Sequence, residues 1–146
     1  MNPVIEVLVT IAFEEQHYQI LREISPRLRI TTHLARRVDE VPEELWARCE
    51  VLYTDRVLPP PEFVPNLRWI QLHWAGIDSL VDSPIFHQPG ITITHLSGSN
   101  APQVAEYVLM MLLALGHKMP ALIENQAKAE WSGSKWERFL PQELRG

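Results

Sequence analysis

The chain has 146 residues, 46% of them apolar and 21% charged, with a formal net charge of −5. That is one domain's worth of chain, enough to bury roughly 70% of the surface its unfolded form exposes. The acidic balance argues against a general nucleic-acid binder: neutralising phosphates takes clustered Lys and Arg, and here only Arg36-Arg37 stand together.

Residues 4–11 are rich in β-branched side chains and predict a buried strand. Phe13, His17, Ile20, Leu21 and Ile24 follow at helical spacing, and Pro26 ends that helix. Residues 28–32 predict a second strand. Pro42 suits the first turn of a helix whose apolar face is Leu45, Trp46 and Cys49, and residues 51–53 form a short third strand. Leu58-Pro59-Pro60-Pro61 can be neither regular helix nor central strand and reads as a rigid connector. A fourth strand at 68–72, a short helix at 77–81, a Pro89-Gly90 turn and a fifth strand at 91–94 follow. Strands alternating with helices imply parallel pairing in a doubly wound α/β layer.

The pattern changes at Ser97. Residues 101–116 are helical in pattern and apolar on almost every side, as expected of a helix in a core or between two domains. Asn100 can cap this helix, Pro102 fits its first turn, and Gln103 stands where a capping-box partner would. Gly116 and Pro120 punctuate it before a second helix at about 121–130.

Cys49 is the single cysteine, so no intrachain disulfide is possible. Set beside Leu45 and Trp46, it reads as a buried small hydrophobe, and a cytoplasmic location is expected. Residues 1–10 lack the basic start and cleavage site of a signal peptide. The longest apolar run, 108–115, falls far short of the ~20 residues that cross a bilayer. No membrane partner is expected.

Chemistry concentrates at Gln71-Leu72-His73-Trp74-Ala75-Gly76-Ile77-Asp78, where a strand gives way to a small-residue turn and then the short helix. Ligands of open α/β sheets bind beyond the carboxyl ends of strands. A turn of small residues lets an anion reach backbone N–H groups, with the helix start adding a favourable dipole. A carboxylate could sit on the amides of Ala75 and Gly76, although the same residues also suit an ordinary strand–helix turn. Asn100 is either a pure N-cap or a second ligand contact. His17, His33, His73, His87, His95 and His117 show no metal-ligand spacing. His73 and His95 follow strands but have no carboxylate or nucleophile beside them in sequence. There is no nucleophile elbow, no P-loop and no G-x-G-x-x-G.

Four stretches, in this order, resemble the NAD(P)-dependent D-isomer-specific 2-hydroxyacid dehydrogenases. Relatives in that family include glyoxylate/hydroxypyruvate reductases, phosphoglycerate dehydrogenase and formate dehydrogenase. Pro65-Asn66-Leu67-Arg68-Trp69-Ile70-Gln71 with Ala75-Gly76-Ile77-Asp78 is similar to the family's strand and substrate-carboxylate loop. Gly90-Ile91-Thr92-Ile93-Thr94 is similar to its next strand. Asn100 with Val104-Ala105-Glu106-Tyr107 is similar to its domain-crossover helix. Glu130-Trp131 through Glu143-Leu144-Arg145-Gly146 is similar to the lead into its Rossmann strand.

The resemblance implies a flavodoxin-like substrate domain over residues 1–99, then crossover helices over 100–146 leading toward a Rossmann domain. The implied reaction is reduction of 2-oxo acids to D-2-hydroxy acids. NAD or NADP, and the family's catalytic histidine, glutamate and arginine, would lie beyond Gly146, so the chain alone is expected to be inactive. By the same resemblance Ala75 and Gly76 bind substrate carboxylate, Asn100 lies near substrate or cofactor, and Trp136 is the counterpart of a tryptophan reaching in from a partner subunit. Trp74 departs from the small or aliphatic residue usual there. A homodimer with a small 2-oxo or 2-hydroxy acid as its ligand is expected. The residues by themselves leave open a stand-alone flavodoxin-like ligand-binding or interaction module.

Overall fold

The structure, a computed structural model, describes residues 3–131, 133 and 140–143. It divides into two compact units, Met1–Gly98 and Ser99–Gly146.

Five strands build the first unit: β1 (Ile5–Val9), β2 (Leu28–Thr32), β3 (Val51–Thr54), β4 (Trp69–Leu72) and β5 (Thr92–Thr94). All four pairings are parallel, in the order β2-β1-β3-β4-β5. This is the flavodoxin-like order, whose direction reverses between β1 and β3. Leu8, Leu52, Ile70 and Ile93 fall in one register row across the sheet. Because alternate side chains share a face, that row makes a continuous apolar stripe.

Helix α2 (Glu43–Arg48) covers this stripe. Glu43 and Glu44 in its first turn and Arg48 in its last match the helix dipole. Its Trp46 and the following Cys49, each 1% exposed, join Leu8, Leu52, Ile70 and Ile85 in the core. Trp46 also donates its indole N–H to Val38 O at 3.2 Å, so its one polar atom is satisfied inside. Helix α1 (Glu15–Ile24) serves the opposite face: Tyr18 is buried, and Ile20 and Leu21 border Tyr53, which alternates with Leu52 along β3. One helix per face satisfies the doubly wound expectation.

The last two crossovers are leaner than expected. From β3 to β4 the chain runs through the proline segment, where Pro59 is fully buried and Pro61–Phe63 forms a 3-10 turn. The connector is therefore part of the core, with Val57, Val64 and Leu67 packed in it. The helix expected at 77–81 does not form. Ile77 O accepts from Leu80 N at 2.8 Å and Leu80 O from Ser83 N at 3.0 Å, giving successive turns that run into a 3-10 segment at Pro84–His87. Pro84 lacks the N–H that would continue a helix begun at Ile77, and the stretch settles into separate turns. Gly90, at φ +85, makes the expected turn into β5, a conformation that favours glycine.

In the second unit α3 (Ala101–Gly116) matches its predicted span, and α4 (Met119–Ala127) begins two residues early. The break falls at Lys118, in the left-handed region at φ 55, and Pro120 sits inside the first turn of α4. None of α3's residues is buried, which removes the first of the two places, a core or between domains, that its all-round apolarity suggested. Among the described residues no single helix is long and apolar enough to cross a membrane. Only α3 and α4 together, bent by 63° where they meet, have the length and composition.

Burial pushes the Cys49 thiol up to about 12, and its Sγ lies 3.4 Å from Val51 O. The thiolate is the reactive form, so Cys49 should resist a disulfide reagent at pH 8 in the native protein and react fully once unfolded. Rapid stoichiometric labelling of the folded chain would contradict this packing.

Candidate functional site

Sheet order brings the carboxyl ends of β1, β3 and β4 side by side, although they are far apart in sequence. The first two are pinned by a buried hydrogen bond between Thr10 Oγ1 and Thr54 Oγ1, at 2.6 Å. Thr54 Oγ1 also accepts from Val57 N at 3.2 Å, and Ala35 N donates to Thr10 O at 3.1 Å. The turns after β1, β2 and β3 thus share one rigid floor.

The turn after β4 is held at both ends. His73 N donates to Thr54 O at 2.8 Å, and Leu96 N donates to Trp74 O at 3.1 Å. Between these anchors, the amides of Ala75 and Gly76 donate to no group among the described residues. Ala75 is half-buried and Gly76 exposed. Gly76 is outside the left-handed region, and a Cβ added there would meet nothing within 4 Å. Its value to the turn is therefore access to the amides, with no conformational demand for glycine. Because no helix follows, the dipole expected to assist these amides is absent.

The nearest help comes from a residue that sequence reading passed over. Arg56 places its guanidinium 5.8 Å from the centre of the Trp74 ring, while its Nε lies 3.6 Å from Asp55 Oδ1. Asp55 Oδ1 is buried with no hydrogen bond, and 3.6 Å is too long to be one. The ion pair still balances its charge. The only local signal for Arg56 is its place directly after β3; its reach to the next turn depends on β3 and β4 pairing.

An aromatic group flanks the same turn. Tyr53 and His73 share a hydrogen bond, with Tyr53 Oη 3.0 Å from His73 Nδ1. Phe13 packs edge-on to Tyr53 with ring centres 4.9 Å apart. Partial burial holds the Tyr53 phenol above its usual value. Together with His17, Ile20 and Leu21 these rings line a hollow of about 380 Å³. His95 turns back locally, its Nδ1 accepting from Ser97 N at 3.2 Å.

Asn100 heads α3 in the second unit. Its carbonyl accepts from Val104 N at 3.0 Å, but its side chain makes no capping hydrogen bond, so the expected side-chain cap is not formed. Trp136 lies outside the described residues. Among the described residues no group of His, Cys, Asp and Glu could hold a metal ion.

A dinucleotide does not fit the turn after β1. Glu14 and Glu15 stand at the start of α1 where a pyrophosphate would need bare amides, and Thr10-Ile11-Ala12-Phe13 contains no glycine.

No family model matches the chain. D-3-phosphoglycerate dehydrogenase of Archaeoglobus fulgidus is 28% identical to it over 97% of this chain and 26% of that protein. The chain is thus similar in sequence to one D-isomer-specific 2-hydroxyacid dehydrogenase over nearly its whole length. The phosphoglycerate oxidoreductase of Rhizobium etli superposes with a TM-score of 0.68 at 18% identity, covering 94% of this chain and 45% of that one. D-lactate dehydrogenase of Aquifex aeolicus, solved with NAD and lactic acid, superposes with a TM-score of 0.61 at 20% identity, over 95% and 41%. At those identities the two superpositions establish the shared α/β fold. The chain spans about a quarter of the curated 2-hydroxyacid dehydrogenase it matches and less than half of each of these two structures.

Proposed function

We propose that this chain supplies the substrate-binding part of an NAD(P)-dependent oxidoreductase that reduces small 2-oxo acids to D-2-hydroxy acids. Residues 1–99 act as the substrate domain and 100–146 as a crossover segment. The observation that carries the reading is the pair of unengaged amides at Ala75 and Gly76, fixed beyond the end of β4 with Arg56 beside the preceding Trp74. Two N–H groups bind one carboxylate, and a nearby guanidinium strengthens the hold. Asn100, its amide uncommitted to capping, and Trp136 are further contacts in this reading. The ligand class in this reading is the 2-oxo acids, for which glyoxylate and hydroxypyruvate serve as probes.

The experiment is a two-dimensional NMR titration of the chain with glyoxylate and hydroxypyruvate. Saturable shifts should centre on Ala75 and Gly76, and their absence up to tens of millimolar acid would sink the proposal. The nicotinamide cofactor belongs on residues other than those of the β1 turn. The chain alone should therefore leave NADH fluorescence unchanged; a micromolar NADH complex would overturn that part.

We further propose a homodimer formed through α3. Val104, Val108, Met111, Leu112 and Leu115 are all exposed, an apolar stripe of a kind that monomers rarely leave in water. Burying about 400 Å² of it would return on the order of 10 kcal/mol before association entropy is subtracted. Light scattering at micromolar concentration should give twice the 16.9 kDa of one chain. A monomer at that concentration refutes the stripe as an interface.

A further inference from the structure

A second cleft of about 820 Å³ opens beyond the ends of β1, β2 and β3, at the place where strand order reverses. Thr10, Ile11, Leu34, Arg36, Arg56 and Val57 are among the residues that line it. Arg56 lines the cleft and also places its guanidinium over the ring of Trp74, the residue that precedes the Ala75-Gly76 turn. Clefts of roughly 300–1,000 Å³ hold drug-sized ligands, and glyoxylate or pyruvate would leave most of this one empty.

The charges around it are committed, with one exception. Asp55 is paired with Arg56. Glu40 accepts from the backbone N–H of Arg36 at 2.7 Å and of Arg37 at 3.3 Å, and it lies 3.8 Å from the Arg37 side chain. The Arg37 guanidinium is itself held by Asp39. Among the described residues the Arg36 guanidinium has no partner, although its own backbone is fixed by Glu40. One uncompensated cation therefore stands at a cleft whose walls, at Ile11, Leu34 and Val57, are apolar.

Resting on the reading of the Ala75-Gly76 turn as a carboxylate grip, we infer that this cleft receives the far end of a 2-oxo dicarboxylic acid, with Arg36 binding the second carboxylate. The apolar walls take the methylene chain between the two charges. A single unpaired guanidinium matches one distal carboxylate in charge and offers the forked donors that carboxylates accept.

The test compares 2-oxoglutarate with 2-oxopentanoate, which has the same chain length and a methyl group in place of the distal carboxylate. NMR titrations of the 146-residue chain should show 2-oxoglutarate binding at least tenfold tighter, with added shifts at Leu34, Arg36 and Val57. Arg36→Met should abolish that preference and leave 2-oxopentanoate affinity unchanged, and Arg36→Lys should restore part of it. Arg36 is exposed, so neither variant threatens the fold, and unchanged spectra would verify this. Equal affinities for the two acids, with both still shifting Ala75 and Gly76, would overturn this inference and leave the carboxylate grip standing. The inference also falls if Arg36→Met keeps the preference. No shift at Ala75 and Gly76 with any acid removes the grip and this inference together.

Discussion

Trp46→Ala should cost the first unit about 3–5 kcal/mol, the range for truncating a fully buried aromatic side chain. The loss has two parts. The indole fills the space between α2 and the Leu8-Leu52-Ile70 stripe, and helices of six residues cannot slide far enough to close such a void. The substitution also removes the indole N–H bond to Val38 O, which keeps only its backbone bond from Val41 N. Typical domains have only about 5–15 kcal/mol to lose, so the variant should be close to unfolded at body temperature. Trp46→Phe, which keeps most of the ring and loses the hydrogen bond, should cost about a third as much. Urea unfolding followed by circular dichroism measures both. A penalty under about 1 kcal/mol for the alanine variant would mean that α2 is not the lid of this core.

The second large effect is expected at Gly76→Val. A branched side chain there would stand over the two free amides and keep a carboxylate from reaching them. The backbone is already in a region open to any residue, and the added Cβ meets no atom within 4 Å, so stability should change little. That separates binding from folding cleanly. We expect the dissociation constant for glyoxylate to rise at least tenfold, with an unaltered urea midpoint. In a full-length dehydrogenase the same change should raise KM for 2-oxo acids and spare NADH binding. Unchanged affinity in a folded variant would reduce Ala75-Gly76 to an ordinary turn.

The same residue shows how far sequence reading carries. Ala75-Gly76 could be picked out because small residues directly after a strand are a local signal. Of the two reasons attached to them, open access to the amides and the dipole of a following helix, the second failed because the helix does not form. Pro84 lacks the N–H that would continue it, and Gly76 has an ordinary φ. Asn100 was legible as the residue before α3, yet its side chain makes no cap. Lys118, a left-handed break with no glycine, was invisible beside Pro120, which looked like the stronger breaker.

The sequence by itself determined the strands, their parallel pairing, the proline connector, the span of α3 and the burial of Cys49. These follow from side-chain shape and spacing within a few residues, where β-branching, apolar period and the missing proline N–H act directly. Tertiary structure decided what meets beyond the strand ends. The Thr10–Thr54 hydrogen bond joins residues 44 apart, and Arg56 reaches Trp74 only because β3 lies beside β4. It also decided which groups have no partner: the amides of Ala75 and Gly76 and the guanidinium of Arg36 are recognisable only once every neighbour's hydrogen bonds are placed. Pairing between distant segments is set by the whole packed sheet, and no short stretch of chain encodes it.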